Sequence, residues 1–240
     1  MGIREAHAPG ELYHLYNRGT EKRSVFLNDR DYERFLSLLY VSNSKEPVRL
    51  DNLARDEQGR TLLSLALESE RGETLVEIGA YCLMPNHFHL LVKEKEGGGI
   101  SRFMQKLMTG YTMYFNKKYE RSGSLFQGKF KSVHAGEDRY LRYLISYLHL
   151  NPVKLIEPKW TVVGIRNQRA AENFLERYRY SSFADFCKKR RPERTILTLG
   201  ALPSYFESPA NFKRNVTEWL SYKKRNPEQG STLLTELEGF

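Results

Sequence analysis

The chain has 240 residues, 40% of them hydrophobic, and a formal net charge of +9 at pH 7. That length suits one large domain or a domain with an appendage, and no apolar run is long enough to span a membrane. Two cysteines, Cys82 and Cys187, supply neither a disulfide framework nor a zinc quartet, and residues 1–10 lack the basic-then-apolar pattern of a signal peptide. The expectation is a cytoplasmic protein with a polyanionic partner.

Residues 11–18 (ELYHLYNR) read as a first strand that ends at Gly19. Asn28 and Asp29 then open a helix, in which Tyr32, Phe35, Leu36, Leu38 and Leu39 recur at helical spacing. Residues 44–72 mix charges of both signs with Pro47, Gly59 and Gly72 and read as a surface insertion, with a short helix over 61–69. Residues 74–83 read as a second strand, and Met84-Pro85-Asn86 as the tight turn after it.

The next strand, from His87, is the most informative stretch of the chain. His87 and His89 flank Phe88, and Leu90, Leu91 and Val92 follow. Side chains two apart on a strand share a face, so the two imidazoles project together, roughly 6–7 Å apart at strand rise. Two neutral imidazoles on one face make half of a metal site.

A long helix is expected from Ile100 to about Tyr119, broken by Gly123, and a fourth strand over residues 125–134 (LFQGKFKSVH). Between residues 102 and 135 lie seven lysines and arginines against one acid, Glu120, with seven Phe and Tyr rings interleaved. That is the composition of a single-strand nucleic-acid binder, or of an amphipathic helix with a ring-filled core. Glu137 and Asp138 open a further helix, which Asn151-Pro152 ends because the residue before proline resists the helical conformation. On that helix Tyr147 and Asn151 are four apart and share a face.

The order β-α-β-β-α-β-α gives an α+β fold, a ferredoxin-like split β-α-β with a mostly antiparallel sheet and one extra helix. Residues 1–160 would form the main domain and 161–240 a basic, mainly helical appendage of helical-hairpin type. The appendage contains the run Lys188-Lys189-Arg190-Arg191 and an amphipathic helix near 211–224.

If Tyr147 and Asn151 face the histidine pair, two imidazoles, an amide oxygen and a phenol surround one phosphate. A divalent ion there would raise the electrophilicity of phosphorus, and a phenolate would attack to form a phosphotyrosine. Such an ester keeps the free energy of the broken phosphodiester, which suits strand transfer. Tyr143, one turn earlier, is the rival nucleophile. The phenol needs activation, by the metal, a lysine or His149, although His149 lies about 200° from Tyr147 around the helix.

Three separated motifs together resemble a known family. Met84-Pro85-Asn86-His87-Phe88-His89-Leu90-Leu91 resembles the metal-binding strand of the HUH endonucleases with a single catalytic tyrosine. These include the transposases of small single-strand insertion sequences and the REP-associated tyrosine transposases. Residues 147–154 (YLHLNPVK) resemble their tyrosine helix, and residues 13–19 (YHLYNRG) are similar to their first strand.

The resemblance implies a Mg²⁺- or Mn²⁺-dependent single-stranded DNA endonuclease and strand transferase. It implies Tyr147 as nucleophile, His87, His89 and Asn151 as metal ligands, and a 5′-phosphotyrosine with a free 3′-hydroxyl. The substrate would be single-stranded, hairpin-forming DNA, the protein a monomer or homodimer, and the long basic C-terminal part fits the REP-associated branch. An amide as third ligand brings no negative charge, so the site should bind metal weakly without DNA phosphate. Arg18, Lys106, Lys117, Lys129, Lys131 and Lys154 are the candidate phosphate contacts. The competing readings are a domesticated hairpin-DNA-binding protein that no longer cuts, and an RNA-binding ferredoxin-like domain.

Overall fold

The computed structural model describes residues 6–47, 50, 59–187 and 190–225. Among them, four strands form one sheet: β1 (Leu12–Arg18), β2 (Val76–Met84), β3 (His87–Glu94) and β4 (Lys131–His134). The spatial order is β2-β3-β1-β4, and every neighbouring pair is antiparallel. Helices α1 (Asp29–Val41) and α2 (Leu62–Glu68) lie between β1 and β2 in the chain. Helix α3 (Gly99–Lys118) lies between β3 and β4, and α4 (Asp138–Leu150) follows. This is the expected split β-α-β with an extra helix.

The pleat assigns the two faces of the sheet. On β3, Phe88, Leu90 and Val92 point to one side, where they join Leu15 of β1, Phe35 and Leu39 of α1, and Phe103, Leu107 and Tyr111 of α3 in a single core. Leu91 of β3 points to the other side, with Ala80 and Cys82 of β2, and packs with Leu144, Tyr147 and Leu148 of α4. Both faces are therefore covered by helices. A Leu-to-Ala change at a fully buried position such as Leu90 or Leu144 should cost about 2–5 kcal/mol.

Local signals explain the helix ends. Asp31 reaches back from the first turn of α1 and accepts the Leu27 N–H at 2.8 Å. Its carboxylate also accepts from Tyr114, Tyr119 and Lys118, which ties α1 to α3. Glu94, at the end of β3, caps α3 by accepting the Gly99 and Ile100 N–H groups at 2.7 and 2.8 Å.

The fourth strand is shorter than expected. Residues 125–130 form a loop, in which Gly128 has φ +66° and a lone bridge pairs Phe126 with Gly19. Leu125 and Phe126 are consecutive yet both buried in the same core, a placement that an alternating strand cannot give. The rings interleaved with cations between 102 and 135 are also core. Phe103, Tyr111, Phe115 and Phe126 are buried, and Tyr114, Tyr119 and Phe130 pack against them. They are not a platform for stacking bases.

After α4 the chain continues as a 3₁₀ turn (Asn151–Leu155), then α5 (Trp160–Val163), α6 (Gln168–Arg177), α7 (Phe183–Phe186) and α8 (Pro209–Arg225). Short helices and turns thus replace the expected helical hairpin, because Gly164, Pro192, Gly200 and Pro203 interrupt the segment. Lys188 and Lys189 of the basic run lie outside the described residues.

The turn after β1 has no space for a larger residue. A Cβ on Gly19 would sit 2.3 Å from the Arg23 carbonyl oxygen, while the Gly19 N–H donates to the Asn86 carbonyl beside His87 at 2.9 Å. Gly19→Ala should therefore destabilise the fold by about 1–3 kcal/mol, read as a lower denaturant midpoint at unchanged slope.

Candidate active site

The pleat and register also build the site. Residues directly opposite in an antiparallel pair point to the same face, and Arg18 pairs with His87, Tyr16 with His89 and Lys131 with Tyr16. Arg18, Tyr16, His14, His87, His89 and Lys131 therefore share the face that α4 covers. The His87 and His89 rings stand 5.0 Å apart between centroids.

Helix α4 delivers the other half. Its last residue is Leu150, as the following proline requires. Asn151 nevertheless keeps helical dihedrals (φ −52°, ψ −42°) and donates its backbone N–H to the Tyr147 carbonyl. The expected resistance before proline is met by tightening into a 3₁₀ turn rather than by an extended residue. Asn151 thus stays in phase with Tyr147, and both meet the histidines. The Asn151 Nδ2 lies 3.2 Å from His89 Nε2. The Tyr147 ring stands edge-on to His89, 5.6 Å between centroids at 82°.

Lys154, one turn beyond Asn151, places its Nζ 5.6 Å from the centre of the Tyr147 ring. Lys131 holds its Nζ 5.9 Å from the Tyr16 ring, in the row of side chains that includes His89. Of the other cations named from sequence, Lys117 and Lys129 are exposed. Lys106 sits elsewhere and donates to the Ser44 carbonyl at 2.6 Å.

The charge balance of the site is cationic. Burial, then Lys154 and Arg18, push the His87 imidazole down to about 3, while the nearby Asn151 side chain acts in the opposite direction. Burial, then His87, His14 and Lys154, hold His89 well below its ordinary value. Both rings are therefore neutral at pH 7 and offer lone pairs, and the flanking cations suit a phosphodiester. Among the described residues, no three His, Cys, Asp or Glu side chains are placed to hold a metal ion. A third donor would have to be an amide, and the Asn151 Oδ1 is buried with no hydrogen-bond partner. An oxygen left in that state beside two neutral imidazoles fits a divalent cation.

His149 faces the other way, as its helical angle suggested. Its Nδ1 shares a hydrogen bond with the Ile145 carbonyl at 2.8 Å, and its Nε2 meets Ser182 Oγ at 2.9 Å. Phe183, Phe186 and Phe212 surround the ring. Burial lowers it to about 4. With both nitrogens engaged away from the sheet, His149 ties α4 to the C-terminal segment and cannot serve as base for Tyr147.

Sequence reasoning missed His14. Its Nε2 lies 2.9 Å from His89 Nδ1, and the ring is fully buried. It also stacks on Tyr16, with centroids 4.8 Å apart. The available signal was its parity with Tyr16 and Arg18 on the first strand.

Residues 55–151 match the family model of IS200-like transposases. No curated protein matches the chain. A solved structure of a REP-associated tyrosine transposase bound to a REP hairpin is similar, with a TM-score of 0.47 and 14% identity, over 80% of this chain and 90% of that one.

Proposed function

From the premise that the chain belongs to the IS200-like, single-tyrosine transposase family through residues 55–151, we propose that it is a metal-dependent single-stranded DNA endonuclease and strand transferase. The observation that carries this reading is the convergence of His87, His89, Asn151 and Tyr147 from two separate elements onto one point beneath α4. Lys131 and Arg18 line the same face of the sheet and would bind the flanking phosphates. Residues from 161 onward would add DNA recognition, and a hairpin-forming single strand in the cytoplasm is the proposed substrate.

His87, His89 and the Asn151 Oδ1 would hold Mg²⁺ or Mn²⁺, which when bound would neutralise a non-bridging oxygen of the scissile phosphate. Tyr147 Oη attacks phosphorus, an O–P bond forms, and the bond from phosphorus to the 3′-oxygen breaks. The products are a 5′-phosphotyrosine and a 3′-hydroxyl, and in net balance the proton lost by the phenol is the one the 3′-oxygen gains. Lys154, beside the Tyr147 ring, would contact the scissile phosphate as a point charge.

The test is incubation with a labelled hairpin oligonucleotide and Mn²⁺, followed by a search for an SDS-resistant adduct. The proposal requires an adduct that chelator abolishes. Binding without an adduct would indicate a hairpin-binding protein that does not cut, and preference for RNA an RNA-binding domain. The RNA reading is disfavoured because helices cover both sheet faces, which leaves the central strands no open ring on which to stack a base. Lys154→Ala should flatten the slope of log K against log salt by about one unit, measured by fluorescence anisotropy at several salt concentrations.

A further inference from the structure

We propose that His14 is a positioning residue that decides which nitrogen of His89 is offered to the metal. The inference rests on the metal site of the preceding section. It deepens that reading by naming a residue outside the ligand set.

His14 and His89 are fully buried and joined through His14 Nε2 and His89 Nδ1 at 2.9 Å. Between two neutral imidazoles, one nitrogen must carry the proton and the other the lone pair. Two arrangements satisfy that bond. In the first, His14 Nε2–H donates to His89 Nδ1. The His89 proton then sits on Nε2 and points at Asn151, 3.2 Å away, so that nitrogen has no lone pair to give. The Asn151 Nδ2 that faces this nitrogen is itself a donor, so the first arrangement sets two N–H groups against each other.

In the second arrangement, His89 Nδ1–H donates to His14 Nε2. His89 Nε2 then keeps its lone pair and accepts from Asn151 Nδ2 at 3.2 Å, and the His14 proton lies on Nδ1. That nitrogen is buried and has no hydrogen-bond partner. A buried N–H without an acceptor costs more than a buried lone pair without a donor. That cost is smaller than setting two N–H donors against each other at the Asn151 contact, so the second arrangement is the resting one, and its Nε2 lone pair is the one a cation would take. Both rings stay neutral throughout, and no proton leaves the protein. His14 thus holds the proton on His89 Nδ1 and leaves the Nε2 lone pair to the metal.

The experiment uses the full-length chain carrying Tyr147→Phe, so that bound oligonucleotide is not consumed. Mn²⁺ affinity is read by electron paramagnetic resonance with a single-stranded hairpin present, and the histidine tautomers by ¹⁵N chemical shifts with and without Mg²⁺. His14→Leu, which removes the acceptor, should weaken Mn²⁺ binding by about 10–100-fold. His14→Gln keeps an acceptor near the Nε2 position and should stay within about threefold of the parent. The His89 proton should lie on Nδ1 both with and without Mg²⁺.

If the parent takes up no Mn²⁺, the metal site itself is wrong. If the parent binds Mn²⁺ and His14→Leu binds it equally well, the role of His14 is overturned and the site stands. The ¹⁵N measurement needs no change at His14, so it decides the matter even if His14→Leu fails to fold. A His89 proton found on Nε2 overturns the inference.

Discussion

Tyr147→Phe should abolish the covalent DNA adduct while leaving DNA binding and the unfolding midpoint close to those of the parent. The phenyl ring can keep its edge-on contact with His89 and its place in the core beneath α4, so the change removes one oxygen and little packing. Loss of a nucleophile in an assembled site typically costs about 10⁴–10⁶ in rate. The adduct should therefore fall below detection in an SDS gel of the labelled oligonucleotide. Tyr143→Phe is the control, since Tyr147 is the tyrosine whose placement beside His89 gives it the role proposed here. An adduct that survives Tyr147→Phe and vanishes with Tyr143→Phe would move the nucleophile one turn back along the helix.

The metal-free protein should be unusually sensitive to mild acid. Burial lowers His14 and His87 to about 3 and His149 to about 4, and His89 lies well below its ordinary value. In the unfolded chain all four titrate near 6.5. Between those limits the unfolded state binds more protons than the folded one, so stability is fully present above about pH 6.5 and is lost as pH falls towards 4. Each such histidine contributes a slope of about 1.4 kcal/mol per pH unit, and four together at most about 5.6.

Against a total stability of about 5–15 kcal/mol, that slope is enough to unfold the protein near pH 5. Urea titrations at pH 7.5, 6.5 and 5.5 in the presence of chelator measure it directly. His149→Gln preserves an acceptor for Ser182 and should reduce the slope by about one histidine's share. A midpoint that does not change from pH 7.5 to 5.5 would show that these imidazoles are protonated within the fold.

Much of the site was legible because it is local. The parity of His87 and His89, the i, i+4 spacing of Tyr147 and Asn151, and the turn at Met84-Pro85-Asn86 are all short-range facts. What the sequence could not supply was pairing across long separations. His14 reads as an ordinary strand residue until β1 is laid beside β3, 75 positions later in the chain. Lys106 carries the same charge as Lys154, and only the fold shows that it caps backbone carbonyls of the 44–46 turn. The rings between 102 and 135 fit two readings by composition, and burial decided for the core. The fourth strand was overestimated because the apolar pair Leu125-Phe126 resembles strand hydropathy, although its side chains fill one core together.

The antiparallel register of β3 against β1 has a consequence for how this protein can change over time. Strand β3 carries the core residues Phe88, Leu90 and Val92 on its even-numbered side and His87 and His89 on its odd-numbered side. Loss or gain of a single codon within the Pro85-Asn86 bend would rotate every following side chain to the opposite layer. Phe88 would then face α4 and the imidazoles would be pressed into hydrocarbon. Drift at this point is confined to substitution.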